Sequence, residues 1–98
     1  MKKYEVRMSV QFMKDIKRIA EYLAAESESE EVAVNQLERL KEAARNLEYL
    51  PERGNPIRVK RNRILRYVIE GRYKIHYIVY DKHVTVESAI HMKRNTKY

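Results

Sequence analysis

Three consecutive strand-like segments between residues 63 and 91 constrain the fold of this chain more than any other feature of its sequence. Arg63 to Ile69, Arg72 to Tyr80 and His83 to His91 are rich in β-branched and aromatic residues. Two short turn signals, Glu70-Gly71 and Asp81-Lys82, separate these segments. Strands joined by such tight turns pair in antiparallel order, so the sequence predicts a three-stranded meander.

The alternation of side chains along these strands predicts which face of the sheet meets a core, because successive side chains point to opposite faces. We expect the more apolar rows of the second and third strands to face the core: Tyr73, Ile75, Tyr77 and Val79, then Val84, Val86, Ser88 and Ile90. Both rows of the first strand carry apolar groups, so its phase is ambiguous. We assign Leu65, Tyr67 and Ile69 to the core. The other face, here called the open face, would then display Arg66, Lys74, His76, Tyr80, Glu87 and His91.

The first half of the chain supplies a layer that covers the other side of this sheet. Residues 4–8 alternate apolar and charged side chains, which predicts a short strand at an edge or beside the last strand. Val10 to about Ala25 and Glu30 to Leu50 carry apolar residues at helical spacing. Ser9 is suited to cap the first helix, and Ser27 or Ser29 the second. The short connection between the helices predicts an antiparallel helical hairpin.

Two prolines and a glycine within residues 51–56 end the second helix, and we interpret this segment as a connector inside one domain. The predicted fold is therefore α+β with the order β-α-α-β-β-β: an N-terminal strand, an antiparallel helical hairpin and a three-stranded antiparallel meander. Ninety-eight residues are enough for one domain, residues 1–98, with one modest core.

Positive charge is concentrated in the second half of the chain. The whole chain carries a formal charge of +7, of which residues 1–50 contribute −1 and residues 51–98 contribute +8. This asymmetry predicts a polyanionic or acidic partner; the alternative is a basic surface that only maintains solubility. There is no cysteine, which excludes disulfides and cysteine nucleophiles. The three histidines are spread over two strands, with His83 and His91 at opposite ends of the third, and they lack neighbouring carboxylate ligands, so we expect no metal site and no cofactor.

Neither a membrane span nor a secretion signal is expected. No apolar run approaches the roughly 20 residues that cross a bilayer, and charges interrupt the N-terminal segment MKKYEVRMSV. The sequence predicts a soluble protein of the cytoplasm with no membrane partner.

Several segments in this order carry a resemblance to a known family. They are residues 4–9 leading into a helix, Tyr22-Leu23, the turn Leu50-Pro-Glu-Arg-Gly-Asn-Pro56, Leu65-Arg66, Gly71-Arg-Tyr-Lys-Ile-His-Tyr77, and Ile90-His91 followed by Lys93-Arg94-Asn95. Together they resemble the RelE/ParE superfamily of toxins from toxin–antitoxin operons, and the helical hairpin with its proline-rich turn is closer to the ParE branch. The resemblance implies a growth-arresting toxin, a small sheet backed by two helices, and a cognate antitoxin that is acidic and folds on binding.

The branches of this superfamily differ in their targets. ParE-like members poison DNA gyrase, whereas RelE-like members cleave messenger RNA on the ribosome. For target binding we single out Arg66, Arg72, Lys74, His76, His91 and Arg94. If the chain is a ribonuclease, the resemblance and the need for a base, cations and a proton donor indicate Arg66, Lys74, His91, Arg94 and Tyr98.

Each of these residues also has a structural interpretation. The cations can pair with Glu70, Glu87 or an antitoxin carboxylate, and the histidines can be surface or hydrogen-bonded residues. A third function stays open, that of a non-toxic module binding nucleic acid through phosphate contacts.

Overall fold

The computed structural model describes residues 1–27 and 29–93, which form a five-stranded sheet with two helices packed on one face. The elements are β1 (Glu5–Met8), α1 (Val10–Ser27), α2 (Glu30–Arg45), two short 3-10 turns (Asn46–Glu48 and Pro51–Arg53), β2 (Asn55–Lys60), β3 (Arg63–Glu70), β4 (Tyr73–Val79) and β5 (His83–His91). The strand order is β1-β5-β4-β3-β2. The predicted α+β class with its helical hairpin is confirmed.

Both helices begin at the predicted serine caps. The hydroxyl of Ser9 accepts a hydrogen bond from the backbone N–H of Phe12 at 3.0 Å. The Ser29 hydroxyl accepts from the N–H of Val32 at 3.4 Å. Each cap satisfies one of the backbone donors that the first turn of a helix leaves unpaired. The sequence therefore determines the starting points of α1 and α2 locally.

The N-terminal strand is both at an edge and beside the last strand. β1 pairs in parallel with β5, with Val6 opposite Val84 and Met8 opposite Val86. A parallel pair needs a long crossover, and the α1–α2 hairpin together with β2, β3 and β4 separates the two strands along the chain.

The structure contains one strand more than the sequence predicted. We interpreted residues 51–56 as a connector and the following basic run as an entry to the meander, but β2 pairs antiparallel with β3 at the outer edge. The order is therefore β-α-α-β-β-β-β. Pro56 is compatible with an edge strand, where a missing N–H breaks no ladder. Arg61 and Asn62 both have positive φ, 54° and 61°, which suits a tight hairpin turn.

The face assignment is correct for β4 and wrong for β3. Tyr73, Ile75 and Tyr77 lie in the core against the helices, as predicted. In β3, Arg66 is opposite Tyr77 and Val68 is opposite Ile75, so both share the helix-facing side. The predicted core row of β3, Leu65, Tyr67 and Ile69, therefore points to the open face.

A β-bulge at residue 87 shifts the phase of β5. Tyr77 pairs with Val86 and His76 with Ser88, so Glu87 is the extra residue. Beyond the bulge Ala89 and His91 face the helices, whereas Ser88 and Ile90 face away, which reverses their predicted sides.

The core lies between the helices and the sheet. Its central side chains include Phe12, Ile16, Leu40, Leu47, Ile75, Tyr77, Val84 and Val86, each 0 or 1% exposed. Within residues 1–27 and 29–93, neither helix combines the length and apolar character needed to cross a bilayer.

Candidate functional site

A concave groove lies on the open face of the sheet, and we call it the open-face groove. Its volume is about 450 Å³, and its lining comprises Gln11, Asp15, Arg18, Ile57, Arg58, Lys60, Leu65, His76, Glu87, Ser88 and Ile90. Leu65 and Ile90 are buried and form an apolar floor, with Ile78 buried on the same face. The groove therefore offers an apolar surface surrounded by polar and charged groups.

The helix α1 closes one side of this groove because Asp15 binds the free edge of β5. β1 covers only residues 83–86 of β5, which leaves the later residues of β5 without a strand neighbour on that side. The Asp15 carboxylate accepts the backbone N–H of Ala89 at 3.0 Å and the Gln11 amide at 2.7 Å. Asp15 is 8% exposed, so this buried acceptor replaces the missing strand.

Glu87 neutralises part of the positive charge at the groove. Its carboxylate lies 2.7 Å from the Lys60 ammonium and 3.0 Å from the Arg61 guanidinium, and its side chain is 15% exposed. The bulge at Glu87 and the turn at Arg61 bring these groups together from strands that are not neighbours. Arg58 and Lys74 form no ion pair within the described part of the chain. The groove is therefore less cationic than the charge of residues 51–98 indicates.

His76 lies in the groove beside the remaining cations. Burial lowers the pKa of His76 below its ordinary value of 6.5, and the positive charges of Lys74 and Arg58 lower it further. The His76 ring lies 6.4 Å from the ring of Tyr67, and the Lys74 ammonium lies 4.6 Å from the Tyr67 ring centroid. At neutral pH the imidazole is uncharged, and the lysine covers the aromatic ring that a nucleobase would need for stacking.

Two predicted site residues do not lie on the open face. The guanidinium of Arg66 donates to the carbonyls of Glu52 at 3.2 Å and Gly54 at 3.0 Å, on the helix-facing side. His91 lies opposite Tyr73, and the two rings meet edge to face at 5.2 Å. The assignment of Arg66 and His91 to the open face is wrong, because the phase of β3 and the bulge in β5 reverse their sides.

The remaining predicted residues are dispersed or lie outside the description. Arg72 is exposed in the turn between β3 and β4, away from the groove lining. Arg94 and Tyr98 fall outside the described residues. Of the predicted set, Lys74 and His76 are therefore the two that the structure places together on the open face. Among the residues described, no three His, Asp or Glu side chains are arranged to hold a metal ion.

Sequence reasoning missed Asp15, Arg58 and Lys60 as residues of this site. Asp15 stands out little from the helical pattern of α1. Its role is to accept a hydrogen bond from the N–H of Ala89, 74 residues later, and no local pattern indicates that contact. Arg58 and Lys60 alternate in a basic run, and that period of two was the signal that could have indicated a strand with both on one face.

A second concavity lies along the two helices beside the end of β1, and we call it the hairpin groove. It has a volume of about 570 Å³ and is lined by Met8, Val10, Met13, Lys14, Ile16, Lys17, Ala20, Glu21, Leu37 and Lys41. Val10 is 71% exposed and Met13 42% exposed. An apolar strip edged by three lysines is suited to an amphipathic segment with acidic side chains.

Comparison with known proteins gives a family match and matches to solved structures. A family model for the ParE toxin of the parDE type II toxin–antitoxin system matches residues 6–96. A solved structure, the chromosomal ParDE toxin–antitoxin system from P. aeruginosa, has a TM-score of 0.75 with 11% sequence identity, covering 93% of this chain and 98% of that chain. At this identity the structural likeness shows a shared fold. No curated protein sequence matches the chain.

Proposed function

Because the chain belongs to the ParE toxin family of type II toxin–antitoxin systems, we propose that it arrests growth by binding a protein target, DNA gyrase, through the open-face groove and the C-terminal tail. In this proposal the groove and tail act in the cytoplasm, and a cognate antitoxin neutralises them. The charge balance of the groove is the observation that carries the choice of a protein target.

The groove suits a protein surface better than a phosphate backbone. The Glu87 carboxylate occupies Lys60 and Arg61, and the Asp15 carboxylate lines the same groove. The lining therefore mixes both signs of charge, with Asp15 and Glu87 against Arg18, Arg58 and Lys60, and such a surface is complementary to a protein surface of mixed charge rather than to a uniform polyanion. The apolar floor of Leu65 and Ile90 supplies the buried contact that a protein interface needs at its centre.

Growth arrest tests this proposal directly. Expression without an antitoxin arrests bacterial growth. The double change Arg58→Glu with Lys74→Glu restores growth, because it reverses one cation of the groove lining and one beside His76 on the same face, neither of which forms an ion pair among the described residues. The matched control is Arg45→Glu with Lys82→Glu, which changes the net charge equally outside the groove and leaves growth arrested. Gyrase as target predicts accumulated DNA breaks and an SOS response. Normal growth with abundant folded wild-type protein would refute the toxin role.

The hairpin groove is the surface we assign to the antitoxin. Its apolar strip and lysine rim fit an acidic segment that folds as it binds. Met13→Asp places a charge in the centre of the strip, so it prevents neutralisation and co-purification with the antitoxin while toxicity persists. Lys17→Gln removes one rim charge and weakens the complex only slightly, because rim charges contribute little to affinity. Neutralisation of the Met13→Asp variant at the wild-type dose of antitoxin would rule out this surface.

Messenger-RNA cleavage is a second candidate function, favoured by one observation. The pKa of His76 is lowered, so its imidazole is uncharged at neutral pH, and it lies near Lys74 and Arg58; a general base and phosphate-binding cations are therefore close together on the open face. If the protein cleaves RNA on the ribosome, His76→Gln abolishes the cuts and toxicity without DNA damage. The predicted nuclease residues Arg66 and His91 lie on the other face, which is why the gyrase proposal is preferred.

A further inference from the structure

The turn between α2 and β2 holds Leu50 in a strained and exposed conformation. Leu50 has φ 49° and ψ 50°, the left-handed region, and its side chain is 61% exposed. In this region the Cβ of an L-residue lies too close to the following carbonyl oxygen, which costs free energy. Pro51 follows Leu50, and a proline further disfavours helical conformations of the residue before it. Burial of the leucine side chain does not offset this cost, so the rest of the turn must hold Leu50 in this conformation.

Three side chains donate hydrogen bonds to the backbone carbonyls of the same turn. We call them the turn clamp: Arg53, Arg66 and Tyr77. The Arg53 guanidinium donates to the carbonyls of Tyr49 at 2.9 Å and Leu50 at 3.3 Å. The buried Tyr77 hydroxyl donates to the Pro51 carbonyl at 2.6 Å. Arg66 donates to two further carbonyls of the turn, those of residues 52 and 54. Five carbonyls in six residues therefore have fixed donors.

Leu50 stands beside a small concavity that is separate from both grooves. The concavity has a volume of about 360 Å³ and is lined by Met1, Lys2, Tyr4, Leu50, Pro51, Glu52 and Arg53. None of these residues lines the open-face groove or the hairpin groove. Lys2 and Arg53 outnumber Glu52, so the surroundings of Leu50 are cationic.

We propose that Leu50 is an anchor that inserts into an apolar pocket, edged by carboxylates, on the folded target protein. A strained residue that its surroundings hold in place is typical of a functional position. The backbone of the turn is held before binding, so insertion of Leu50 costs little backbone entropy, which favours a preformed pocket. A second copy of this chain is a poor occupant, since each copy carries a formal charge of +7. The inference rests on the proposed function in one respect, that the target is a protein.

The test uses two substitutions that suit the left-handed conformation, Leu50→Gly and Leu50→Asn. Each removes the apolar side chain and relieves strain, so both variants are expected to unfold at a temperature no lower than wild type and to co-purify with the antitoxin. Both should require roughly tenfold more protein for growth arrest, a loss typical of a central interface side chain. Leu50→Met, which keeps an apolar side chain, should remain toxic.

The outcomes separate this inference from the proposed function. If wild type arrests growth and both variants arrest it at the same protein level, the anchor is refuted and the groove proposal stands. If wild type does not arrest growth, both are refuted. If both variants lose toxicity together with thermal stability or antitoxin binding, Leu50 supports the fold and the anchor is also refuted.

Discussion

The substitution Gly54→Ala tests the packing of the turn between α2 and β2. A Cβ added at Gly54 would lie 2.0 Å from the hydroxyl of Tyr77 and 2.9 Å from the backbone carbonyl oxygen of Tyr67. The φ of Gly54 is −71°, an ordinary value, so glycine is required here by space and not by backbone conformation. The Tyr77 ring is 0% exposed and has no room to retreat.

The expected cost of Gly54→Ala has two parts. Forcing an extra methyl into a packed site costs about 1–3 kcal/mol. Displacing the Tyr77 hydroxyl removes its 2.6 Å hydrogen bond to the Pro51 carbonyl, and a buried acceptor left unpaired costs about 1–3 kcal/mol. The free energy of unfolding should therefore fall by about 2–6 kcal/mol, a large share of the roughly 5–15 kcal/mol typical of a domain.

Urea denaturation followed by circular dichroism measures this loss on protein released from the antitoxin. The matched control is Gly71→Ala, because a Cβ at Gly71 meets nothing closer than 3.7 Å but must adopt φ +61°. That control should cost about 1–2 kcal/mol, the penalty of the left-handed region. Adding Tyr77→Phe to Gly54→Ala should cost less than the sum of the two single changes, since the clashing hydroxyl is gone. A Gly54→Ala protein as stable as Gly71→Ala would refute the packing argument.

Three further predictions concern Asp15, His76 and Arg66. Asp15→Ala leaves the buried N–H of Ala89 without its acceptor and should lower the free energy of unfolding by about 1–3 kcal/mol in urea denaturation, whereas Asp15→Asn keeps an acceptor and should lose less. The pKa of His76 is lowered in the folded state, so as the pH falls the unfolded state binds the imidazole proton first. The contribution of His76 to stability is therefore complete above pH 6.5 and declines as the pH falls below that value. A His76→Gln protein whose stability declined equally steeply would contradict this. Arg66→Lys keeps the charge but loses the hydrogen bonds to the turn, so it should lower the thermal midpoint, and toxicity should fall only as far as stability does. A thermally stable but non-toxic Arg66→Lys protein would restore Arg66 as a target-binding residue.

Local features of the sequence were sufficient to predict most elements. Ser9 and Ser29 cap the helices by contacts to residues three positions later, and such contacts depend only on nearby sequence. The side chains of β4 were assigned to the correct faces because one alternating set of residues is clearly more apolar than the other. The strand β2 was missed because its proline and its charges are typical of a loop, and an edge strand tolerates both.

The site itself was less predictable than the fold. Lys74 and His76 were placed correctly on the open face because the phase of β4 was correct. Arg66 and His91 were placed on the wrong face, because β3 has apolar residues in both rows and the bulge in β5 leaves no signal in the alternation. A single extra residue at a bulge moves every later side chain to the opposite face of the sheet.

The amino-acid sequence alone determined the helix starts, the tight turns, the excess of positive charge in the second half and the resemblance to a toxin family. Those properties depend on residues close together in the chain or on composition. Only the tertiary structure decided which cations remain available, because Glu87 pairs with Lys60 and Arg61 across 26 or 27 residues. It likewise decided that Arg66 of β3 and Tyr77 of β4 hold the turn that carries Leu50, since these donors and their carbonyls, 12 to 26 residues apart in sequence, meet only after the sheet has formed.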